Sequence, residues 1–310
     1  MILAGIDVGT LTCRLLVGRV SETGQIEEVH SERRVLRLGE GLDRSGRLAP
    51  EAMERVVATL REWQASIRTY GAAATTVVAT SAVRAAANRR EFVDRVARET
   101  GWPVEVIDGQ EEARRTLLGI RSGLPQDISS MLALDIGGGS TEFILDRAGQ
   151  PAKMRSIEIG VVRVTERFLK HDPPTDDELA AARVCVRDAA RSVQAEFGGW
   201  GTVPFVGTAG TITTLAAMAQ RLPAYVGSRI HNYRLTLPVV TDLERDILGR
   251  TKAQREGMLG LELGREDVIV AGTVILRTVM ETLAFDTCLV SDLGLREGVL
   301  LNLAARQRSR

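Results

Sequence analysis

Two regimes of apolar spacing alternate along this chain. Residues 2–7 (ILAGID), 13–20 (CRLLVGRV) and 26–38 (IEEVHSERRVLRL) are dense in β-branched and aliphatic side chains. Glycine-bearing turns separate them, a pattern that predicts a three-stranded meander. The period then changes. Met53, Val56, Val57, Leu60, Trp63 and Ile67 recur at helical spacing between Pro50 and Gly71, which predicts a helix with one buried face. A strand at 74–80, a helix at 88–101, a strand at 104–107 and a helix at 109–123 follow. This alternation implies α/β layering with part of the sheet parallel.

From residue 131 the same order restarts. Strands are expected at 131–135 (MLALD), 141–147 (TEFILDR) and 153–160, helices at 160–170 and 175–197, a strand at 203–207 and a helix opening after TAGT. One long helical stretch at 238–283, a strand at 287–292 and a closing helix at 295–308 complete the pattern. The duplication predicts two domains, 1–123 and 124–310, facing each other across a cleft. The break falls within 122–130 (SGLPQDISS), and the terminal helix is able to pack back on the first domain.

Composition narrows the function classes. The 310 residues, 44% hydrophobic and 26% charged, suffice for a large buried core. No stretch approaches the roughly 20 apolar residues of a membrane span, and the N-terminus lacks the basic flank and cleavage region of a signal peptide. A cytoplasmic protein without a membrane partner is expected. Forty basic residues balance forty acidic ones, so net charge gives no case for nucleic acid, and a polyanionic partner must be met locally. Only Lys153, Lys170 and Lys252 are lysine, so nearly all positive charge sits on guanidinium groups able to grip phosphate bidentately. Cys13, Cys185 and Cys288 show no CxxC spacing and read as buried thiols. His30, His171 and His231 are equally scattered.

The candidate chemistry lies in two glycine turns, DVGTLTCR at 7–14 and DIGGGSTE at 135–142, set 128 residues apart at the same point of each half. Glycine there permits positive φ and close backbone approach, and successive N–H groups can converge on one anion. A carboxylate at the strand end, Asp7 or Asp135, repels bare phosphate and makes sense with a divalent cation between them. A third turn, in VGTAGTITTLAAM at 206–218, leads from a strand into a helix whose first amides can hold a phosphate oxygen. Neither GxxxxGK nor GxGxxG occurs, which excludes the P-loop and the dinucleotide fingerprint.

Eight segments in order, GIDVGTLTCRLLV, LGEGLDRSGRLAPEAMER, VATSAVRAAANRREF, VIDGQEEARRTLLGI, LALDIGGGSTEFIL, IEIGVVRVTERFL, VGTAGTITTLAA and VSDLGLREGVLL, carry a further reading. Together they resemble the exopolyphosphatase and guanosine pentaphosphate phosphohydrolase (Ppx/GppA) family of the actin-like ATPase superfamily. The resemblance implies an α/β fold of two ribonuclease H-like domains. It implies Glu112 as the base that activates water, and Asp135 and Glu142, with Asp7 as a weaker further carboxylate, as ligands of Mg²⁺. A monovalent cation such as K⁺ is a further expectation. Phosphate oxygens would be met by Thr10, Thr12, Arg14 and Arg84, by Gly137, Gly138, Gly139, Ser140 and Thr141, and by Gly207, Thr208, Gly210 and Thr211. Arg114 and Arg115 lie two and three positions past Glu112, so at least one points away from it, and neither is assigned a catalytic role. The implied activity is release of phosphate from the end of inorganic polyphosphate. Guanosine pentaphosphate is the alternative substrate, and an ATP-dependent kinase or a non-catalytic sensor of the same fold stays open. A homodimer is also open. Two departures from the family pattern stand out. Leu11 occupies a position where the family commonly has Asn, and the chain stops near 310 without the further C-terminal domains of longer members, which puts processivity on long polymers in question.

Overall fold

The computed structural model describes residues 1–309, which divide into two compact units: residues 1–123 with the segment from Leu293 onward, and Leu124–Asp292. The second unit is therefore shorter than the expected 124–310, because the last helix belongs to the first. Among the described residues no helix is long and apolar enough to cross a membrane.

The first unit opens with β1 (Ile2–Val8), β2 (Thr12–Val20) and β3 (Ile26–Val35), the expected antiparallel meander. Next come α1 (Leu42–Ser45), α2 (Pro50–Thr69), β4 (Ala74–Ala79), α3 (Ser81–Ala85), α4 (Arg89–Thr100), β5 (Val104–Val106) and α5 (Gly109–Arg121). β4 runs parallel to β1 and β5 parallel to β4, giving a five-stranded sheet in the order β3-β2-β1-β4-β5. The six residues that define the apolar stripe of α2 are all buried. They pack on Ala4, Ile6 and Val8, the alternate residues of β1 on one face of the sheet.

The second unit repeats that plan. It runs β6 (Met131–Ile136), β7 (Thr141–Asp146), β8 (Lys153–Ile157), α6 (Val161–Phe168), α7 (Asp176–Phe197), β9 (Phe205–Thr208), α8 (Ala209–Ala219) and α9 (Gly227–Ile230). The series continues with β10 (Arg234–Thr236), α10 (Leu237–Leu248), α11 (Lys252–Arg255), α12 (Val268–Leu283) and β11 (Thr287–Val290). Its sheet order, β10-β11-β9-β6-β7-β8, again sets an antiparallel meander beside two strands, β9 and β11, parallel to the first, and adds the antiparallel edge strand β10. The expected helix over 238–283 is broken into α10, α11 and α12. Gly257, Gly260 and Gly264 between them hold φ of 78°, 86° and 84°, values no helix interior accommodates.

The chain ends in α13 (Leu295–Arg308), which covers the other face of the first sheet: Leu300, Leu303 and Ala304 pack on Leu3, Leu16 and Val20. α13 also lies on α5 at backbone distance. A Cβ added to Gly298 would fall 1.7 Å from the Arg115 carbonyl oxygen, and one on Gly119 1.8 Å from that of Gly294. Only glycine at both positions lets these helices approach so closely. Around that contact Arg115, 1% exposed, pairs with Glu105 and Glu111, and Arg306 of α13 pairs with the same Glu105.

Candidate active site

In the first unit three parallel strands end side by side, and the elements that leave them carry the candidate residues. β1 ends in the Gly9 turn, β4 leads into α3 with Arg84, and β5 leads into α5 with Glu112. Carboxyl ends of parallel strands are where α/β sheets present their ligand sites. The Gly9 amide donates to the Thr12 carbonyl at 3.0 Å, closing the turn. Gly9 does not take the positive φ expected of it. It is required for closeness instead, since a Cβ there would lie 2.8 Å from the Thr12 carbonyl oxygen. The strap from 36 to 39 holds the turn from behind: the Leu36 and Arg37 amides donate to the Leu11 carbonyl, and the Gly39 amide to that of Thr10, each at 2.9 Å. The Leu11 side chain is buried and fills core.

Within this turn the Thr10 hydroxyl and the Arg14 Nε are both buried and make no hydrogen bond. Two donors hidden from water without an acceptor are costly, about 1–3 kcal/mol each, unless a ligand supplies one. Thr12 is also buried. Glu112, 7% exposed, accepts from Arg84 Nη1 at 3.0 Å, and the same nitrogen donates to the Ile107 carbonyl. Arg84 is thus engaged in holding Glu112. Asp108 caps α5 through the Glu111 amide, so the first turn of the helix is fixed as well. Arg114 and Arg115 pair with Glu111, away from Glu112.

The second unit builds the same turn with different charges. Gly137 donates to the Ser140 carbonyl at 3.0 Å, again without positive φ. The Val161 and Val162 amides, at the start of α6, donate to the Gly137 and Gly138 carbonyls. Gly160 lets them in, because a Cβ there would lie 2.4 Å from Gly138 and 2.5 Å from the Gly139 nitrogen. Register exposes the division of labour. Asp7 pairs with Arg14 across β1–β2, and Asp135 with Glu142 across β6–β7, at the same offset from the turn. Directly opposed residues share a face of the sheet. The first turn therefore sets a guanidinium beside its aspartate, and the second sets two carboxylates together. Glu142 and Asp135 are 1% and 7% exposed, and Glu142 accepts a 2.7 Å bond from the Ser156 hydroxyl. Ser140 is buried, and the Thr141 hydroxyl donates to the Ile159 carbonyl, which anchors the turn.

Beside Asp135 in register stands Thr208, where β9 gives way to α8. Ala209 holds φ 69°, a strained value for a residue with a Cβ. Of the residues expected to hold phosphate here, Gly207 faces the core against Cys288 and Ile212, and Thr211 packs on Gly272 of α12. Gly210 lies under the Arg265 guanidinium, which a Cβ would meet at 2.3 Å. Arg265 is 4% exposed and pairs with Glu262. Sequence reasoning assigned no role to Arg265, Ser156 or Gly160; Gly160 lies within the segment IEIGVVRVTERFL, whereas Arg265 and Ser156 belong to no local motif and are brought in by the fold.

Burial, with Asp7 nearby, pushes the Cys13 thiol up, and burial alone does so for Cys288, so both are protonated. Cys185 is half-buried where a buried thiol was expected. Among the described residues no three His, Cys, Asp or Glu side chains gather as a metal cage.

Two mixed sheets of one plan, each ending its first strand in a glycine turn flanked by ionisable groups, define an actin-like two-domain protein. A model of the Ppx/GppA phosphatase family matches residues 16–307. The chain belongs to that family and is a phosphohydrolase. It is 36% identical to Exopolyphosphatase 2 of Mycobacterium tuberculosis over 97% of this chain and 98% of that one. Among solved structures, the Ppx/GppA family member of Aquifex aeolicus superposes with a TM-score of 0.81 at 31% identity, covering 99% and 98% of the two chains. An exopolyphosphatase from Cytophaga hutchinsonii does so with a TM-score of 0.90 at 28% identity, covering 99% and 98%.

Proposed function

We propose that this chain is an exopolyphosphatase, hydrolysing the terminal phosphoanhydride of inorganic polyphosphate and releasing phosphate. The observation that carries the reading is the pair of buried, unpartnered donors in the first turn, Thr10 Oγ1 and Arg14 Nε, which have the chemistry to bind phosphate oxygens. Glu112, held by Arg84, orients a water molecule and takes its proton while the water oxygen attacks the terminal phosphorus. The anhydride P–O bond breaks, its electron pair leaves with the shortened chain, and inorganic phosphate is the other product. The Gly138, Gly139 and Ser140 amides of the turn bind phosphate oxygens. Asp135 and Glu142 offer hard, buried oxygen donors side by side, a set that fits Mg²⁺ held by one or two carboxylates plus phosphate and water. Such an ion would neutralise charge on the transferred group.

Guanosine pentaphosphate presents the same terminal anhydride, and turns that bind phosphate alone do not discriminate against it. The test is phosphate release from long-chain polyphosphate, guanosine pentaphosphate and ATP, with Mg²⁺ or with EDTA, by the parent chain and by Glu112→Gln. Metal-dependent release from polyphosphate, reduced about 10²- to 10⁴-fold in the variant, supports the reading. Release from guanosine pentaphosphate alone transfers the assignment to that substrate. No release from any of the three refutes it.

A further inference from the structure

Four side chains form a row across the second sheet, level with its glycine turn. Register sets Thr208 of β9 beside Asp135 of β6, Asp135 beside Glu142 of β7, and Glu142 beside Ser156 of β8. Directly opposed residues share a face, so all four stand on one side of the sheet. The Ser156 hydroxyl closes the row from the edge strand, donating to Glu142 Oε1 at 2.7 Å. We propose that Ser156 is a positioning residue for the metal, a neutral donor that aims the Glu142 carboxylate without taking its charge. This role rests on the assignment of Asp135 and Glu142 to Mg²⁺.

Nothing in β8 as a strand calls for serine there. Lys153 and Arg155 are exposed while Met154 and Ser156 are half-buried, so 156 lies on the inward face, where an apolar side chain is the usual occupant. Nor does the shared plan of the two sheets demand it. The corresponding row of the first sheet runs Val78, Asp7, Arg14 and Arg33, and an arginine of β3 stands where Ser156 stands on β8. What differs is the neighbour, a guanidinium in the first row and a carboxylate in the second.

A buried glutamate has several side-chain torsions to fix, and a carboxylate free to turn is a poor ligand for a small ion that demands near-ideal geometry. Alanine at this place would withdraw the donor and leave that freedom. Lysine or arginine would hold the carboxylate by pairing with it, and would compete with the cation for the same charge. A hydroxyl does neither. The backbone that presents it is fixed as well: the Ile159 carbonyl accepts from the Thr141 hydroxyl, and the Val161 and Val162 amides donate to the Gly137 and Gly138 carbonyls. The stretch 156–162 thus holds the carboxylate and the glycine turn in one frame, as the supporting groups of a metal site must.

The metal-free full chain is titrated with Mn²⁺, read from the fall of the free-ion EPR signal and displaced with Mg²⁺, beside Ser156→Ala, Ser156→Thr and Ser156→Lys. Melting temperatures in EDTA verify that each is folded. Ser156→Ala should bind Mn²⁺ about tenfold more weakly, Ser156→Thr within about threefold of the parent, and Ser156→Lys about 100-fold more weakly. In phosphate release, the Mg²⁺ needed for half-activation should rise in Ser156→Ala by about the same factor, with kcat at saturating Mg²⁺ within about twofold of the parent. A purely structural serine predicts the reverse: unchanged Mn²⁺ affinity, a lower melting temperature, and lost activity that added Mg²⁺ does not restore. That result, equal weakening in Ser156→Ala and Ser156→Thr, or parent-like Mn²⁺ binding by Ser156→Lys overturns the proposal. Absent Mn²⁺ binding by the parent overturns it together with the metal assignment. The expected ranking in a chain that releases no phosphate upholds Ser156 and refutes the assigned activity instead.

Discussion

Gly298 of α13 is a place where one methyl group tests how Glu112 is held. In Gly298→Ala the new Cβ would sit 1.7 Å from the Arg115 carbonyl oxygen and 2.5 Å from its carbon. An ordinary carbon–oxygen contact is roughly twice the first distance, so α5 and α13 must part by on the order of 1.5 Å. Neither helix can yield freely. α13 is packed on β1 and β2 through Leu300 and Leu303, and α5 is tied by the Arg115–Glu105–Arg306 bridge. Overpacking of this kind costs about 1–3 kcal/mol. For a unit of this size that corresponds to a fall in melting temperature of roughly 3–10 °C. The functional effect should exceed the structural one, because α5 carries Glu112, and a displacement of about 1 Å at a catalytic group can cost about 10²-fold in rate. Scanning calorimetry and phosphate release should therefore show a chain that is folded at 25 °C with KM little changed and kcat down by about that factor. Unchanged melting temperature and kcat would refute the account, because α5 would then have room to move without consequence.

Other perturbations separate the parts of the site. Thr10→Val removes a buried hydroxyl with no partner, so it should raise thermal stability slightly, by up to about 1 kcal/mol, while KM for polyphosphate rises about tenfold; a lower melting temperature would count against the orphan-donor reading. Arg84→Ala strips the buried Glu112 of its cation and should lower kcat with KM for polyphosphate changed less, with partial recovery in Arg84→Lys; an unchanged kcat, or one that Lys does not recover, would show that Arg84 does not act through Glu112. Hydrogen bonds from Arg114, then Arg115, hold the Glu111 carboxyl down at about 2, so its ionised form stabilises the fold above its ordinary value of about 4.3 and that contribution is lost as pH falls toward 2. Melting temperature across that window should fall more steeply for the parent than for Glu111→Gln, and parallel curves would contradict the assignment. Asp135→Asn should weaken activation by Mg²⁺ at least tenfold without altering the melting temperature measured in EDTA, and equal activation curves would remove Asp135 from the metal site.

Much of this protein is written locally. The meander, the stripe on α2 and the matching glycine turns at 9 and 137 follow from side-chain period and from residues whose effect reaches only a few positions. Because the second half repeats that order, the duplicated sheet could be read as well. The reading failed where glycine punctuation was overlooked, at 257–264; of the two uses it allowed the turn glycines, Gly9 and Gly137 show close approach and not positive φ. Other features arise only when distant segments meet. Arg84 reaches Glu112 because β4 and β5 lie parallel and end together, Arg265 covers Gly210 because the loop before α12 folds back on α8, and α13 returns from the end of the chain to set the position of α5. Which residues those long-range pairings bring within bonding distance is a property of the assembled sheet, and no window of sequence short enough to show a period contains it.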